Sequence, residues 1–124
     1  MEDEFEYRWD HVQLAIPPAS EDACRAFYVG LLGLREVQKP DPLAARGGLW
    51  LQGSGLQLHL GVELDFRPAL KAHPALALDR LDRLAQRLER AGVEVGWDDN
   101  LPGRSRFYAH DPVGNRLEFV SAAG

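Results

Sequence analysis

The residues in this chain best suited to chemistry are its histidines, and their spacing along strand-like segments is the first clue to what they could do. Successive side chains along a strand point to opposite faces. In His11-Val-Gln-Leu-Ala-Ile16 the even positions Val12, Leu14 and Ile16 share one face, and His11, Gln13 and Ala15 share the other. In the segment 73–78, Leu76 and Leu78 lie opposite His73, Ala75 and Ala77. In 56–62, Leu56, Leu58, Leu60 and Val62 lie opposite Gln57, His59 and Gly61; in 116–120, Leu117 and Phe119 lie opposite Glu118. Each segment thus has one apolar face to bury and one face carrying imidazole, amide or carboxylate. A sheet face meant only for water usually carries Lys, Glu, Thr and Arg. Histidines beside Ala and Gly suggest the lining of a cleft.

The histidine segments also repeat. His, Leu and Ala of 11–16 recur in register in 73–78, an offset of 73 − 11 = 62 residues, half the chain. Glu118 counted back by 61 falls on Gln57, so these two are expected to hold matched places, as His11 and His73 do. Four such side chains, related by pseudo-twofold symmetry, could converge. Two imidazoles, a carboxylate and a further oxygen or nitrogen donor suit a divalent transition metal.

The elements that must position these residues follow from pattern and punctuation. After each histidine segment comes a helical stripe: Ala23, Phe27 and Leu31 before Gly33, then Leu81, Leu84, Ala85 and Leu88 before Gly92. Asp79 is the expected N-cap of the second helix and Gly92 its C′ residue. Three strands are expected behind each helix, at about 35–39, 48–52 and 56–63, then 94–97, 104–110 and 115–121. Pro40-Asp-Pro42 and Gly47-Gly48 interrupt the first set, while Gly53-Ser-Gly55 and Asp111-Pro-Val-Gly-Asn115 turn the two hairpins. Each half reads β-α-β-β-β. The fold class is α+β, a single domain with one module over about 8–63 and a second over about 72–121.

Composition narrows the function classes. The chain has 124 residues, 14 Lys and Arg against 19 Asp and Glu, and a net charge of −5. Phosphate-backbone binding needs concentrated basic residues, so nucleic acid is not expected as a partner. Arg80, Arg83, Arg87 and Arg90 follow helical spacing and read as a solvated outer face. A single cysteine, Cys24, allows neither an internal disulfide nor a cysteine-based zinc cluster. No apolar run is long enough for a membrane span. The acidic start Met1-Glu2-Asp3-Glu4 lacks the layout of a signal peptide, so a cytoplasmic setting is expected.

The stretches "DHVQLAI", "AFYVGLLGLREV", "HPALALDRLDRLAQRLERAGVEV" and "FYAHDPVGNRLEFV" resemble the vicinal-oxygen-chelate superfamily, which includes glyoxalase I, extradiol dioxygenases, fosfomycin-resistance thiol transferases and bleomycin-resistance proteins. The resemblance implies paired βαβββ modules forming a curved mixed sheet around a central cleft. It implies a divalent metal (Fe, Mn, Ni, Co or Zn), with ligands falling on His11, His73 and Glu118. The fourth position falls on Gln57, a departure from the usual Glu, with His59 able to replace or assist it. Glu118 is also the implied base. Substrate contacts are expected from Arg106, Tyr108, Trp50 and Gln13, with Trp50 matching Tyr108 when the hairpins are aligned from their turns. An Arg, a Tyr and a Trp suit an anionic, partly apolar small molecule. A homodimer is implied, with halves exchanged between chains as one form of it. Two activities are open: a metal-dependent lyase, isomerase or dioxygenase, and a metal-free protein that sequesters a small molecule, as bleomycin-resistance relatives do.

Overall fold

The alternation of apolar and polar positions is realised as two four-stranded sheets. The structure, a computed structural model, describes residues 3–122. The first sheet holds β1 (Val12–Ile16), β2 (Arg35–Val37), β3 (Leu49–Gly53) and β4 (Leu56–Val62) in the order β1-β4-β3-β2. The second holds β5 (Ala75–Leu78), β6 (Gly96–Asp98), β7 (Arg106–His110) and β8 (Arg116–Ser121) in the order β5-β8-β7-β6. In each, the first strand pairs parallel with the last, and the other pairings are antiparallel. The two sheets therefore have one plan.

The apolar faces make the core. Ile16, Leu58 and Leu60 of the first sheet and Leu117 and Phe119 of the second are buried in one apolar cluster. Burying each such side chain contributes about 1.5–3 kcal/mol. The first helix begins as α1 (Glu21–Cys24) and continues as a π-helix over Arg25–Leu31. The wider turn directs both Phe27 and Tyr28 inward, and both are buried. The second-half helix, α3 (Leu81–Arg90), buries Leu81, Ala85 and Leu88 and exposes Arg83, Arg87 and Arg90, as well as Arg80 just before it. It ends in a Schellman motif, with Val93 N donating to Leu88 O at 2.9 Å and Gly92 N to Glu89 O at 3.0 Å. Gly92, at φ 85°, is the C′ residue anticipated from its position.

Two local readings are corrected. Asp79 is not the N-cap: Arg80 holds that place in a left-handed conformation at φ 59°, and no side chain caps the helix. The carbonyl of Arg80 accepts from Arg83 and Leu84, so the backbone closes the first turn itself. The segment after β2, read as a break, contains a short helix, α2 (Asp41–Ala44). Pro42 sits in its first turn, where a missing N–H costs nothing. Gly48, at φ 82°, then lies so close to β4 that a Cβ would meet Leu60 O at 2.1 Å.

Among the described residues, three side-chain hydrogen bonds join the halves. Tyr28 Oη donates to Asp111 Oδ2 at 2.6 Å, Asn115 Nδ2 to Ala15 O at 2.9 Å, and Arg87 Nη1 to Leu31 O at 3.2 Å. Asp111 also accepts from the backbone N–H groups of Val113 and Asn115, which fixes the β7–β8 turn. These contacts come from helices, sheet turns and backbone, and leave both polar sheet faces free of them.

Candidate functional site

On the first sheet the register places Gln13 and Trp50 on either side of His59, with Ala15 opposite Gly61 and Gln52 opposite Gln57. His59 is sandwiched: its ring stacks on Trp50 at 4.2 Å and 6°, and on His11 at 4.2 Å and 21°. His11 Nδ1 lies 2.8 Å from Asp10 Oδ2, which fixes the ring. Burial holds the His59 pKa below its ordinary value, helped by the neighbouring His11 and opposed by Asp10. Its imidazole is therefore neutral near pH 7, the form that ligates metals. Gln13 lies across Gly61, where a Cβ would meet Gln13 Nε2 at 2.8 Å. The face opens into a hollow of about 540 Å³ whose lining includes Gln57, His59, Trp50, Lys39 and Arg46. The Lys39 ammonium donates to Gly47 O, and Glu21 accepts from Gly48 N, which pins the loop beside it.

On the second sheet the same places carry ionic groups. Tyr108 pairs with Glu118, and Ala75 flanks Glu118 on the other side. His73 Nε2 lies 2.9 Å from Glu118 Oε1, and its Nδ1 lies 2.7 Å from Lys71 O. Both neighbours are acceptors. A neutral imidazole has one N–H, so this arrangement is satisfied only by a second proton or by a cation at Nε2 and Oε1. Burial pushes the Glu118 carboxyl up, but hydrogen bonds from His73 and Arg106 outweigh it and hold the pKa below its ordinary value. Glu118 is thus a carboxylate at neutral pH. Arg106 reaches Glu118 Oε2 at 3.4 Å and Asp98 Oδ1 at 3.5 Å. The Tyr108 ring meets His73 edge-on at 5.4 Å, and the guanidinium of Arg116 lies 4.2 Å from the ring centre.

The register corrects one equivalence. Gln13 of β1 pairs with His59, whereas Ala75, its repeat partner in β5, pairs with Glu118. Glu118 therefore matches His59, and Gln57 matches Arg116. Trp50 and Tyr108, which pair with His59 and Glu118, do hold equivalent places. Counting by a fixed offset failed because the second half is shorter between its first strand and its last. The four matched positions are His11, His59, His73 and Glu118, and the neutral amide of Gln57 lies one rung away.

The structure brings these together as two pairs rather than one cluster. His11 and His59 meet on the first sheet, and His73 and Glu118 on the second. Among the described residues, no group of three or more His, Cys, Asp or Glu side chains is placed to hold a metal ion. The expected convergence of His11, His73 and Glu118 does not occur within one chain, because the halves join through the contacts described above. The donors nonetheless fit a divalent ion. Each of His11 and His73 has Nδ1 tied to an oxygen, and Glu118 is ionised. Two ligand atoms about 2.1 Å from one ion and near a right angle apart are about 3 Å from each other, close to the His73–Glu118 separation. Sequence reasoning passed over Asp10 and Arg116. The signal for both was available, as the neighbour of His11 and as the residue two before Glu118 on the same face.

Two βαβββ modules with these donors on their polar faces define the glyoxalase-like fold class. No family model and no curated protein matches the chain. Among solved structures, a glyoxalase family protein from Bacillus anthracis is 41% identical, with a TM-score of 0.92 over 97% of this chain and 98% of that one. The fosfomycin resistance protein FosX from Listeria monocytogenes is 15% identical, with a TM-score of 0.75 over 96% of each chain. Lactoylglutathione lyase from Agrobacterium tumefaciens is 20% identical, with a TM-score of 0.69 over 94% of this chain and 96% of that one. The latter two share the fold. The chain belongs to the glyoxalase family of the vicinal-oxygen-chelate superfamily.

Proposed function

We propose that this protein is a divalent-metal-dependent enzyme of the lyase, isomerase or dioxygenase kind, acting in the cytoplasm on a small, anionic, oxygenated molecule. The observation that carries this reading is His73, whose two ring nitrogens both face acceptor oxygens, one of them on an ionised Glu118. A cation at that pair removes the conflict. His73 and Glu118 would hold the ion together with His11, and His59 takes the fourth matched place. The ion would supply Lewis acidity toward two adjacent substrate oxygens.

The chain's own residues then have distinct tasks. Asp10 orients His11, and Lys71 O orients His73. Arg106 holds the second oxygen of Glu118. Its depressed pKa makes Glu118 a good ligand and a weak base, so proton abstraction would require the carboxylate to leave that hydrogen-bonded state. Trp50 and Tyr108 offer flat apolar surface on either half.

The same reading includes a homodimer. The two pairs do not meet within one chain, so the first-half pair of one copy would face the second-half pair of another. Large apolar side chains with no cover in the single chain support this: Phe5 is 63% exposed, Tyr7 and Trp9 89%, and Leu64 and Leu70 are also exposed. A second reading, metal-free sequestration, is favoured by the Trp50–His59–His11 stack, which would suit a flat ligand without any ion.

Metal analysis of untreated protein and melting with Mn, Fe, Ni, Co or Zn separate the two. A ligand that binds only the native state adds about 2.7 kcal/mol at a hundredfold excess over Kd. One of these metals is expected to raise the wild-type melt and to leave His73→Ala nearly unmoved. A wild-type melt that none of them shifts would leave sequestration as the function.

A further inference from the structure

The two arginines on the second polar face are held in opposite ways. Arg106 is held by its edge, through long hydrogen bonds to Glu118 and Asp98, and its Nε is buried with no partner. Arg116 is held by its face, 4.2 Å from the Tyr108 ring centre. A guanidinium stacked on a ring keeps its five N–H donors around its edge, available to another group. Among the described residues, Arg106 makes ion pairs with Asp98 and Glu118, and Arg116 makes none.

Charge points the same way. Arg106 also lies near that ring, 5.5 Å from its centre. Two cations drawn to one ring repel each other. Asp98 and Glu118 both lie against Arg106, so the charge of Arg116 is left without a counterion in a chain whose net charge is −5. Strand register sets Tyr108 opposite Glu118 and Arg116 on the next rung, opposite His110. A group held by Arg116 against Tyr108 would therefore lie beside the His73–Glu118 pair.

We propose that Arg116 is the anion-binding residue of this face, taking a carboxylate or phosphate of the substrate against Tyr108, while Arg106 is a positioning residue for Glu118. The planar fork of a guanidinium matches two oxygens of either anion. The inference rests on the reading of this face as part of a substrate site, but it does not require a metal.

The test is calorimetric titration of the whole protein at low salt, where screening is least, with sodium phosphate, sodium acetate and neutral glycerol in turn. Wild type is expected to bind at least one of the two anions and not glycerol, and the stronger of the two identifies the substrate's anionic group. Arg116→Gln should lose about tenfold or more of that affinity, and Arg116→Lys less, because it keeps the charge without the fork. Arg83→Gln, on the exposed face of the second-half helix, should bind the anion as wild type does. Arg106→Gln should instead change the size of the metal-induced melting shift. Anion binding by Arg116→Gln equal to wild type, or no anion binding by wild type, overturns the proposal whatever metals do. Binding that depends on Arg116 in a protein whose melt no metal shifts leaves the proposal standing and removes the metal reading alone.

Discussion

The two polar faces occupy the same places in the two modules and hold their groups by different physics. On the first sheet, His59 lies between the rings of Trp50 and His11, in contacts that are mostly apolar. On the second, Glu118 takes the equivalent place, held by His73 and Arg106 through charge and hydrogen bonds. The hairpin turns differ in the same way. Gly53-Ser54-Gly55 closes the first, while the second buries Asp111, whose carboxylate accepts from Tyr28 and Asn115 and so ties the modules together. The shared backbone plan conserves positions and leaves chemistry free to diverge at each.

The largest expected effect breaks the comparison at the turns. Asp111→Ala strands the buried Tyr28 hydroxyl and several N–H donors, each costing about 1–3 kcal/mol when unpaired. The variant should lose about 3 kcal/mol or more in urea unfolding, and Ser54→Ala, at the matching exposed turn, no more than about 0.5 kcal/mol. Equal losses at the two turns would contradict the role given to Asp111.

A second effect separates the faces by pH. His59 has a folded pKa below its ordinary 6.5, so folding favours its neutral form. Its contribution is complete above pH 6.5 and declines as pH falls from there toward the folded value. Glu118 also has a lowered pKa, against an ordinary 4.5. Its contribution is complete above about that pH and is lost as pH falls through the folded value. Unfolding measured across the acid range should lose the upper part of its pH dependence in His59→Gln and the lower part in Glu118→Gln. Should His59→Gln leave the upper part unchanged, the buried, neutral imidazole assigned to the first face would be wrong.

The smallest effect sharpens the corrected equivalence. Gln57→Ala should leave any metal-induced melting shift within about 0.3 kcal/mol of wild type, since Gln57 lies a rung from the matched place. His59→Ala should reduce that shift. The reverse order would return Gln57 to the ligand position.

Much of this was legible in the sequence. Period-two alternation assigned the polar face of each strand, since in a half-buried sheet a slip of one residue would put leucines in water. Gly92 and the Asp111–Asn115 turn could be read because their conformations demand those residue types. What escaped depends on register and on partners. The match of Glu118 with His59 follows from strand pairing, which no fixed offset reveals when the halves differ in length. The cap at Arg80 is made by backbone alone and has no side-chain signature. The separation of the two pairs depends on how the modules pack, and the residues that decide it, Tyr28 and Asp111, lie 83 positions apart.

The central claim is that a pair from each of two copies makes one site, and mixing two broken variants tests it most directly. His11→Ala and His73→Ala would each be unfolded and refolded alone, and then together, before bound metal is measured. Each alone should bind little. In mixed dimers, one of the two sites combines an intact first half with an intact second half, so the mixture should recover about a quarter of wild-type metal if copies pair at random. A mixture that binds no more than its separate components, from variants that refold and pair, would contradict a site shared between copies.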